Sequence, residues 1–152
     1  MSDVFVGLGS NLGDRTAHLR YALRALHGLP GTRLAAVSRL HETAPAGGPP
    51  QPPYLNAVAR LESCLRPVQL LARLQRLEWR RGRVRRERDG PRTLDLDLLL
   101  YDAARCSDAY LTLPHPRLEQ RRFVLEPLCE LAPVLVLHSG RTVRESLRAL
   151  PA

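Results

Sequence analysis

The stretch Arg88-Asp89-Gly90-Pro91-Arg92-Thr93-Leu94-Asp95-Leu96-Asp97-Leu98-Leu99-Leu100 joins an arginine-bearing loop to a strand. Side chains alternate between the faces of a strand, so Asp95 and Asp97 point the same way, with Cα atoms about 6.6 Å apart, while the alternating leucines face the core. Two such carboxylates repel each other, and a bound divalent cation such as Mg²⁺ reverses that repulsion. The pattern predicts a metal-binding strand or, for a bare D-x-D pair, a solvated strand end.

The segments before this strand follow the order β-α-β-β-α. One predicted helix is capped by Asp14 and ends at Gly28, and the next begins at Pro67 and is capped by Gly82. With the aspartate strand, the order becomes β-α-β-β-α-β, which predicts an α+β fold, a ferredoxin-like βαββαβ sandwich. The other predicted strands cover residues 4–9, about 33–43 and 54–63.

The residues after this motif are predicted to form a C-terminal extension. Pro127 interrupts a short helix that runs to Leu131, residues 134–137 form an edge strand, and Thr142 with Glu145 makes a capping box that opens a final helix. The chain has 152 residues, and no internal repeat is visible. We therefore expect residues 1–152 to fold as a single domain.

The chain is strongly basic. It has 23 Lys and Arg residues against 15 Asp and Glu, a formal net charge of +8, and every one of the basic residues is arginine. The charge favours an anionic partner, which can be nucleic acid, a membrane surface or a nucleotide. The lack of lysine excludes a Walker A loop, a protein-kinase site and a Schiff-base nucleophile. Any bound phosphate is therefore held by arginine, a metal ion or backbone N–H groups.

The cysteines and the apolar segments bear on the compartment. Cys64, Cys106 and Cys129 are odd in number and far apart, so we expect reduced thiols rather than a disulfide framework. The N-terminus does not resemble a signal peptide, and no segment is long and apolar enough to span a bilayer. These features predict a cytoplasmic protein without a membrane partner.

Seven arginines crowd the end of the second helix and the loop after it. A basic run of this kind forms a solvated face, a nucleic-acid contact or a phosphate clamp. Gly82, Gly90 and Pro91 make the loop hinged, and the aspartates follow directly, which favours a clamp that closes over a triphosphate. The seven are Arg80, Arg81, Arg83, Arg85, Arg86, Arg88 and Arg92.

Two aromatic residues and a histidine are further candidates. Tyr54 stands where a proline-rich loop meets a strand, and Asn56 shares its face, an arrangement that suits a flat, hydrogen-bonding heterocycle. The alternative is that Tyr54 and Phe123 are core aromatics. His115 lies between two prolines and is either a surface-loop histidine or a neighbour of Arg121 at an anion site.

Short motifs spread over nearly the whole chain carry a family resemblance. They are Gly9-Ser10-Asn11-Leu12-Gly13, Thr43-Ala44-Pro45, Gln51-Pro52-Pro53-Tyr54-Leu55-Asn56, Gln75-Arg76-Leu77-Glu78, Gly82-Arg83-Val84-Arg85, Gly90 to Asp97, Leu113-Pro114-His115-Pro116 and Arg121 to Leu125. With these motifs the chain resembles the 6-hydroxymethyl-7,8-dihydropterin pyrophosphokinase family of folate biosynthesis. The resemblance implies transfer of the β,γ-diphosphate of ATP to the pterin hydroxymethyl group, with release of AMP.

The resemblance also implies roles in phosphate chemistry. Asp95 and Asp97 would hold two Mg²⁺ ions that bridge the triphosphate and the attacking hydroxyl group, and Asp97 is a candidate acceptor for the hydroxyl proton. Arg83 and Arg92 would belong to a mobile catalytic loop. The residues implied for the ATP site are Gln75, Glu78, Arg85, Leu98, Thr112, His115 and Arg121.

The pterin, by the same resemblance, would stack between Tyr54 and Phe123. Asn56 and nearby backbone would read its edge, and Asp95 would also contact it. The implied backbone positions are Thr43, Ala44 and Ala46. The implied partners are therefore two small molecules, ATP and the pterin, with no nucleic acid and no membrane, and the expected state is a monomer.

Two other classes of function remain as alternatives. An RNA-binding ferredoxin-like module shares the β-α-β-β-α-β order and a basic charge, but its inner strands should carry stacked aromatics in the RNP1 pattern, which neither strand here has. A Mg-dependent phosphohydrolase would use the same D-x-D pair. Its product would be orthophosphate without a pterin acceptor, rather than AMP with one.

Overall fold

β1, Ser2–Ser10, is one of the two central strands of an antiparallel sheet. The computed structural model describes residues 1–45, 47–82 and 90–151. The elements after β1 are α1 Arg15–His27, β2 Thr32–Val37, β3 His41–Thr43, β4 Tyr54–Ser63, α2 Pro67–Arg80, β5 Asp95–Tyr101, β6 Cys106–Ser107, β7 Thr112–Leu113, a 3₁₀ helix Leu118–Gln120, α3 Arg122–Leu131 and α4 Val143–Ala149.

The main sheet has the strand order β2-β4-β1-β5, and β3 pairs with the beginning of β4. Every pairing is antiparallel. The predicted α+β class is thus confirmed as a mixed fold with an antiparallel sheet and four helices among the described residues. In the part of the chain that the structure describes, no helix is long and apolar enough to cross a membrane.

The prediction of one strand over residues 33–43 was wrong, because β2 and β3 are separate strands. Val37 pairs with Ala59 and His41 with Asn56. The chain therefore advances four residues from Val37 to His41 while β4 advances only three between their partners. Ser38 lies at the interruption, where its N–H donates to the Val58 carbonyl at 2.9 Å and its Oγ accepts from the Val58 N–H at 2.9 Å. This side chain replaces a backbone partner, which accommodates the extra residue as a bulge does.

The helix ends largely follow the predicted capping residues. Asp14 accepts from the Ala17 N–H at 3.1 Å and begins α1, which ends at Gly28. The C-cap of α2 is Arg81, one residue before the predicted Gly82, and Gly82 takes the left-handed conformation after it with φ +83°. Glycine is favoured there because it lacks the Cβ atom that strains this conformation.

In the extension, both predicted helices are present. Thr142 and Glu145 form the capping box of α4, with Thr142 Oγ1 accepting from the Glu145 N–H at 3.1 Å. In return the Thr142 N–H donates to Glu145 Oε1 at 2.9 Å, and this bond is the main cause that lowers the pKa of Glu145. The expected strand at residues 134–137 was wrong. Among the described residues, this segment forms one isolated bridge between Val136 and Thr142, so it has no neighbouring strand that would extend the sheet.

The sheet is covered by helices on both faces. Val4, Val6 and Leu8 of β1 pack in one buried cluster with leucines of α1 and α2. Phe5 packs in a second cluster with α3 and α4. On β5, Leu99 is an extra residue in the register with β1, and it belongs to this second cluster. The two clusters therefore hold β1, β4 and β5 together, and residues of β4 and β5 line the pocket described next.

Candidate active site

A cavity of about 300 Å³ opens where β3, β4, β5 and the beginning of α3 meet. Ten of its lining residues were predicted as site residues from the sequence. They are Thr43, Ala44, Tyr54, Asn56, Arg92, Asp95, Asp97, His115, Arg121 and Phe123. The structure thus brings together metal, phosphate and ring candidates that lie far apart in the chain.

The two aspartates lie side by side on β5, as their spacing predicts. Asp97 pairs with Gly7 and Asp95 with Gly9 on β1, while Leu96 and Leu98 between and after them are buried. Since neither glycine has a side chain, no side chain of β1 projects from the sheet beside the two carboxylates. A Cβ atom on Gly9 would lie 3.0 Å from Asn56 Oδ1, so a larger residue would crowd this wall.

Arg92 stands next to the carboxylate pair. Its Nη1 is 3.9 Å from Asp95 Oδ1, which is longer than a hydrogen bond, and its side chain is 24% exposed. The guanidinium is therefore held at the cavity without being locked onto Asp95. Arg121, at the other side, has its guanidinium 5.4 Å from the centroid of the Phe123 ring, within the range of a cation–π contact.

The rings of Tyr54 and Phe123 are half-buried and line the cavity, and Phe123 also packs against the second buried cluster, to which the buried Phe5 belongs. The Tyr54 hydroxyl donates to the Gly90 carbonyl at 3.5 Å. Asn56 is 6% exposed and donates through Nδ2 to the Thr43 hydroxyl. Together these residues make a slot with aromatic walls and an amide edge.

His115 is the titratable group whose environment is most informative. The backbone N–H of His115 donates to the Leu99 carbonyl at 2.9 Å, and Nδ1 of its ring accepts from the backbone N–H of Arg117 at 3.2 Å. Burial lowers its pKa to about 4, with Arg121 and Arg117 acting in the same direction and Asp95 opposing them. The ring is therefore neutral at pH 7, and since Nδ1 accepts, Nε2 carries the proton.

We expect ¹⁵N NMR of the protein without added ligands to show His115 titrating near pH 4. The unfolded histidine titrates near pH 6.5. Between these values the unfolded state binds more protons, so the free energy of unfolding falls as the pH drops through this window. His115→Gln should remove that part of the pH dependence in urea denaturation at pH 7 and pH 4.5. A midpoint at or above pH 6 would show that the ring is solvated instead.

Several predicted nucleotide residues do not line the cavity. Glu78 is 3% exposed and accepts from the Leu96 N–H at 2.8 Å, so it supports β5 from below. Leu98 is buried in the core, Gln75 is exposed on α2, and Thr112 lies in β7. The predicted Arg83, Arg85 and Ala46 lie outside the described residues.

Four residues line the cavity that the sequence reasoning did not assign to a site. They are Pro45, Gly47, Gln51 and Arg117. A signal for Gln51 exists in the sequence, because prolines lack N–H groups and leave nearby carbonyls in need of side-chain donors. The Gln51 amide indeed donates to the carbonyls of Gly47 and Pro49, each at 3.2 Å. Arg117 follows His115 by two residues and had no separate signal.

Comparison with solved structures shows the fold. A Plasmodium falciparum HPPK-DHPS structure superposes with a TM-score of 0.73 at 12% identity, and an HPPK-DHPS complex with substrates gives 0.78 at 11% identity. Each covers 97% of this chain, whereas this chain covers 43% of each of those longer chains. At such low identity these likenesses bear on the fold alone.

Sequence comparison shows the family. The chain is 47% identical over 148 residues to a 2-amino-4-hydroxy-6-hydroxymethyldihydropteridine pyrophosphokinase of Pseudomonas aeruginosa, covering 97% of this chain and 91% of that protein. A protein of the same name from Haemophilus influenzae is 42% identical, with 97% and 92% covered. The model of the family matches residues 5–133. The chain therefore belongs to the 7,8-dihydro-6-hydroxymethylpterin-pyrophosphokinase family.

Proposed function

We propose that the cavity is the active site at which this enzyme transfers the β,γ-diphosphate of ATP to the hydroxymethyl group of 6-hydroxymethyl-7,8-dihydropterin, giving AMP and the pterin diphosphate in folate biosynthesis. One observation carries the assignment: the carboxylates of Asp95 and Asp97 and the rings of Tyr54 and Phe123 line a single cavity. The groups suited to metal-bound phosphate and the groups suited to a flat ring therefore lie in the same cavity. Family membership gives no support to an RNA-binding module or a phosphohydrolase.

Two Mg²⁺ ions are the proposed cofactors, held by Asp95 and Asp97. The donor set fits, because Mg²⁺ is usually bound through one or two carboxylates and takes substrate phosphates and waters as its other ligands. Over residues 1–45, 47–82 and 90–151, no group of three or more His, Cys, Asp and Glu forms a closed metal site. Bound Mg²⁺ would supply neutralisation of phosphate charge. Asp97 is the proposed acceptor for the proton of the hydroxymethyl group.

Arg121 and His115 are proposed to bind the phosphates of ATP, and Arg92 is proposed to contact the group that is transferred. The two guanidinium groups offer planar, paired N–H donors to phosphate oxygens. A neutral His115 with its proton on Nε2 would donate a hydrogen bond without adding charge. Phosphoryl-type transfer depends mainly on positioning and charge stabilisation, which this set provides without a covalent intermediate.

The remaining nucleotide assignments are also proposals. Arg83 would act with Arg92 in transfer, and Arg85 would join the phosphate ligands. Gln75 and Thr112 would lie along the nucleotide. Glu78 would act through β5, since it is buried against that strand, and Leu98 would act as a buried residue of β5 itself.

The pterin is proposed to stack between Tyr54 and Phe123. The Asn56 amide and the chain at Thr43, Ala44 and Ala46 would read the polar edge of the ring, with Asp95 near the hydroxymethyl group. Thr43, Ala44 and Asn56 line the same cavity as the two rings, which supports this placement.

We further propose that residues 1–152 act as one pyrophosphokinase domain of ferredoxin-like topology, monomeric and cytoplasmic. The topology is supported by the strand order β2-β4-β1-β5, in which the two central strands are β4 and β1. Sedimentation equilibrium at micromolar concentration would test the monomer. A dimer would contradict the proposed monomer. It would alter the cavity only if the partner subunit contributed a side chain to the cavity walls.

The decisive assay measures AMP release from MgATP with and without 6-hydroxymethyl-7,8-dihydropterin. We expect AMP only when the pterin is present, together with an equal amount of pterin diphosphate. Orthophosphate released without the pterin would instead indicate a phosphohydrolase.

The aromatic slot leads to a binding prediction. Tyr54→Ala and Phe123→Ala should each weaken pterin binding by about 1–3 kcal/mol, by analogy with base stacking on aromatic side chains, while ATP binding changes little. Tyr54→Phe should retain most of the affinity because it keeps the ring. Isothermal titration calorimetry with each ligand measures both effects, and Tyr110→Ala, which removes an 86% exposed ring away from the cavity, is the control. Equal losses for ATP and pterin would show that the rings only support the fold.

A further inference from the structure

Asn11 is a buried polar residue at the end of β1 that does not line the cavity. Its side chain and backbone are 1% exposed. Its backbone N–H donates to the Arg92 carbonyl at 3.0 Å, and its Oδ1 accepts from the Arg92 N–H at 2.8 Å. The two bonds together clamp the backbone of Arg92, three residues before Asp95.

The same side chain also holds the opposite wall of the cavity. Its Nδ2 donates to Gln51 Oε1 and to the Pro52 carbonyl, both at 2.9 Å. Gln51 in turn donates to the carbonyls of Gly47 and Pro49. One amide thus connects the phosphate side of the cavity, at Arg92, with the proline-rich loop that leads into Tyr54.

The chemistry requires an amide at this position. The Arg92 N–H needs an acceptor, while Gln51 Oε1 and the Pro52 carbonyl need donors, and only a side chain with both functions serves them at once. Alanine would remove the bond that Asn11 makes to each of these part-buried groups. Aspartate would keep the acceptor for Arg92 and lose both donors.

We propose that Asn11 is a positioning residue that fixes the distance between the two walls, so that the phosphate bound at the Arg92 side meets the pterin bound at the Tyr54 side. This inference rests on the proposed function. Asn11 does not line the cavity, and it acts through its bonds to Arg92 and Gln51. Misplacement by about 1 Å between reacting groups is enough to lower a rate on the order of 10²-fold.

The test compares Asn11→Ala and Asn11→Asp with the wild type in single-turnover rate and in separate affinities for MgATP and pterin. For Asn11→Ala we expect a rate lower by on the order of 10²-fold, with smaller losses in either affinity. Asn11→Asp should also lower the rate, because it keeps the acceptor for Arg92 but turns a carboxylate oxygen towards Gln51 Oε1 and the Pro52 carbonyl. If the alanine variant fails to fold, the single-turnover rate of Asn11→Asp still tests the inference.

Ser63→Ala is the matched control. Ser63 is fully buried, and its Oγ is bonded to Thr32 Oγ1 at 2.7 Å and to the Leu65 N–H at 3.1 Å, at the opposite end of β4 from Tyr54. It should lower the melting temperature and keep the wild-type rate. Asn11 variants that lose stability but turn over at the wild-type rate would overturn the inference. A wild type that gives no pterin-dependent AMP would instead overturn the proposed function.

Discussion

Asp95→Ala and Asp97→Ala should each abolish turnover while leaving the fold intact. Both carboxylates line the cavity and are only partly buried, whereas Leu96 between them and Leu98 after them are buried in the core. Metal-assisted charge stabilisation supplies several kcal/mol to such transition states, so losing one ligand should lower the rate by roughly 10³-fold or more. Without metal the two charges repel each other, and removal of one should not destabilise the protein.

The matched control for this prediction is Asp108→Asn. Asp108 is an exposed loop carboxylate that accepts from the Tyr110 and Leu111 N–H groups, outside the cavity, and these bonds lower its pKa. Its replacement should leave turnover unchanged. Calorimetric titration of Mg²⁺ with a non-hydrolysable ATP analogue should show lost metal binding in the two active-site variants. Retained activity would refute the metal assignment, and a collapsed melting temperature would point to a structural role.

Elements with strong local signals were predictable from the sequence. β4 matches the expected range, and α1 begins after Asp14 as expected, because alternation, helical spacing and capping are properties of neighbouring residues. The break between β2 and β3 was not predictable in the same way. It depends on bonds between Ser38 and Val58, which lie on different strands and meet only in the folded sheet.

The same distinction between local patterns and contacts of distant residues applies to the candidate site. The D-x-D pair and the aromatic slot were found from residue patterns and a family resemblance, and the cavity brings them together. The role of Asn11 was missed because its partners Gln51 and Arg92 are 40 and 81 positions away. Glu78 had a local signal that was overlooked: it follows Leu74 by four residues and so falls on the buried stripe of α2.

Arg92→Ala should lower the rate of the chemical step far more than it weakens binding of MgATP. Its backbone is clamped by Asn11, and its guanidinium stands 3.9 Å from Asp95 without being locked to it. It is thus placed to stabilise charge that develops on the transferred group, an effect that appears in the rate rather than in ground-state affinity. The predicted partner Arg83 lies outside the described residues, and Arg83→Ala tests whether it shares this role.

Arg92→Lys distinguishes a paired hydrogen-bond contact between the guanidinium and a phosphate from simple attraction between opposite charges. Lysine keeps the charge but loses the planar fork, so at a paired site the variant should stay well below the wild type, whereas at a steering site it should recover almost fully. The control is Arg148→Ala, which removes the same charge from the exposed face of α4. It should keep the wild-type rate.

Single-turnover rates at saturating MgATP and pterin, at low and high salt, decide between the two. Salt screens charges that act through solvent, so a steering role predicts a defect that shrinks at high salt, and a direct contact in the cavity predicts a defect that remains. We expect the defects of Arg92→Ala and Arg92→Lys to persist at high salt. Wild-type rates in both variants would remove Arg92 from the transfer step and leave the arginine loop as a solvated basic segment.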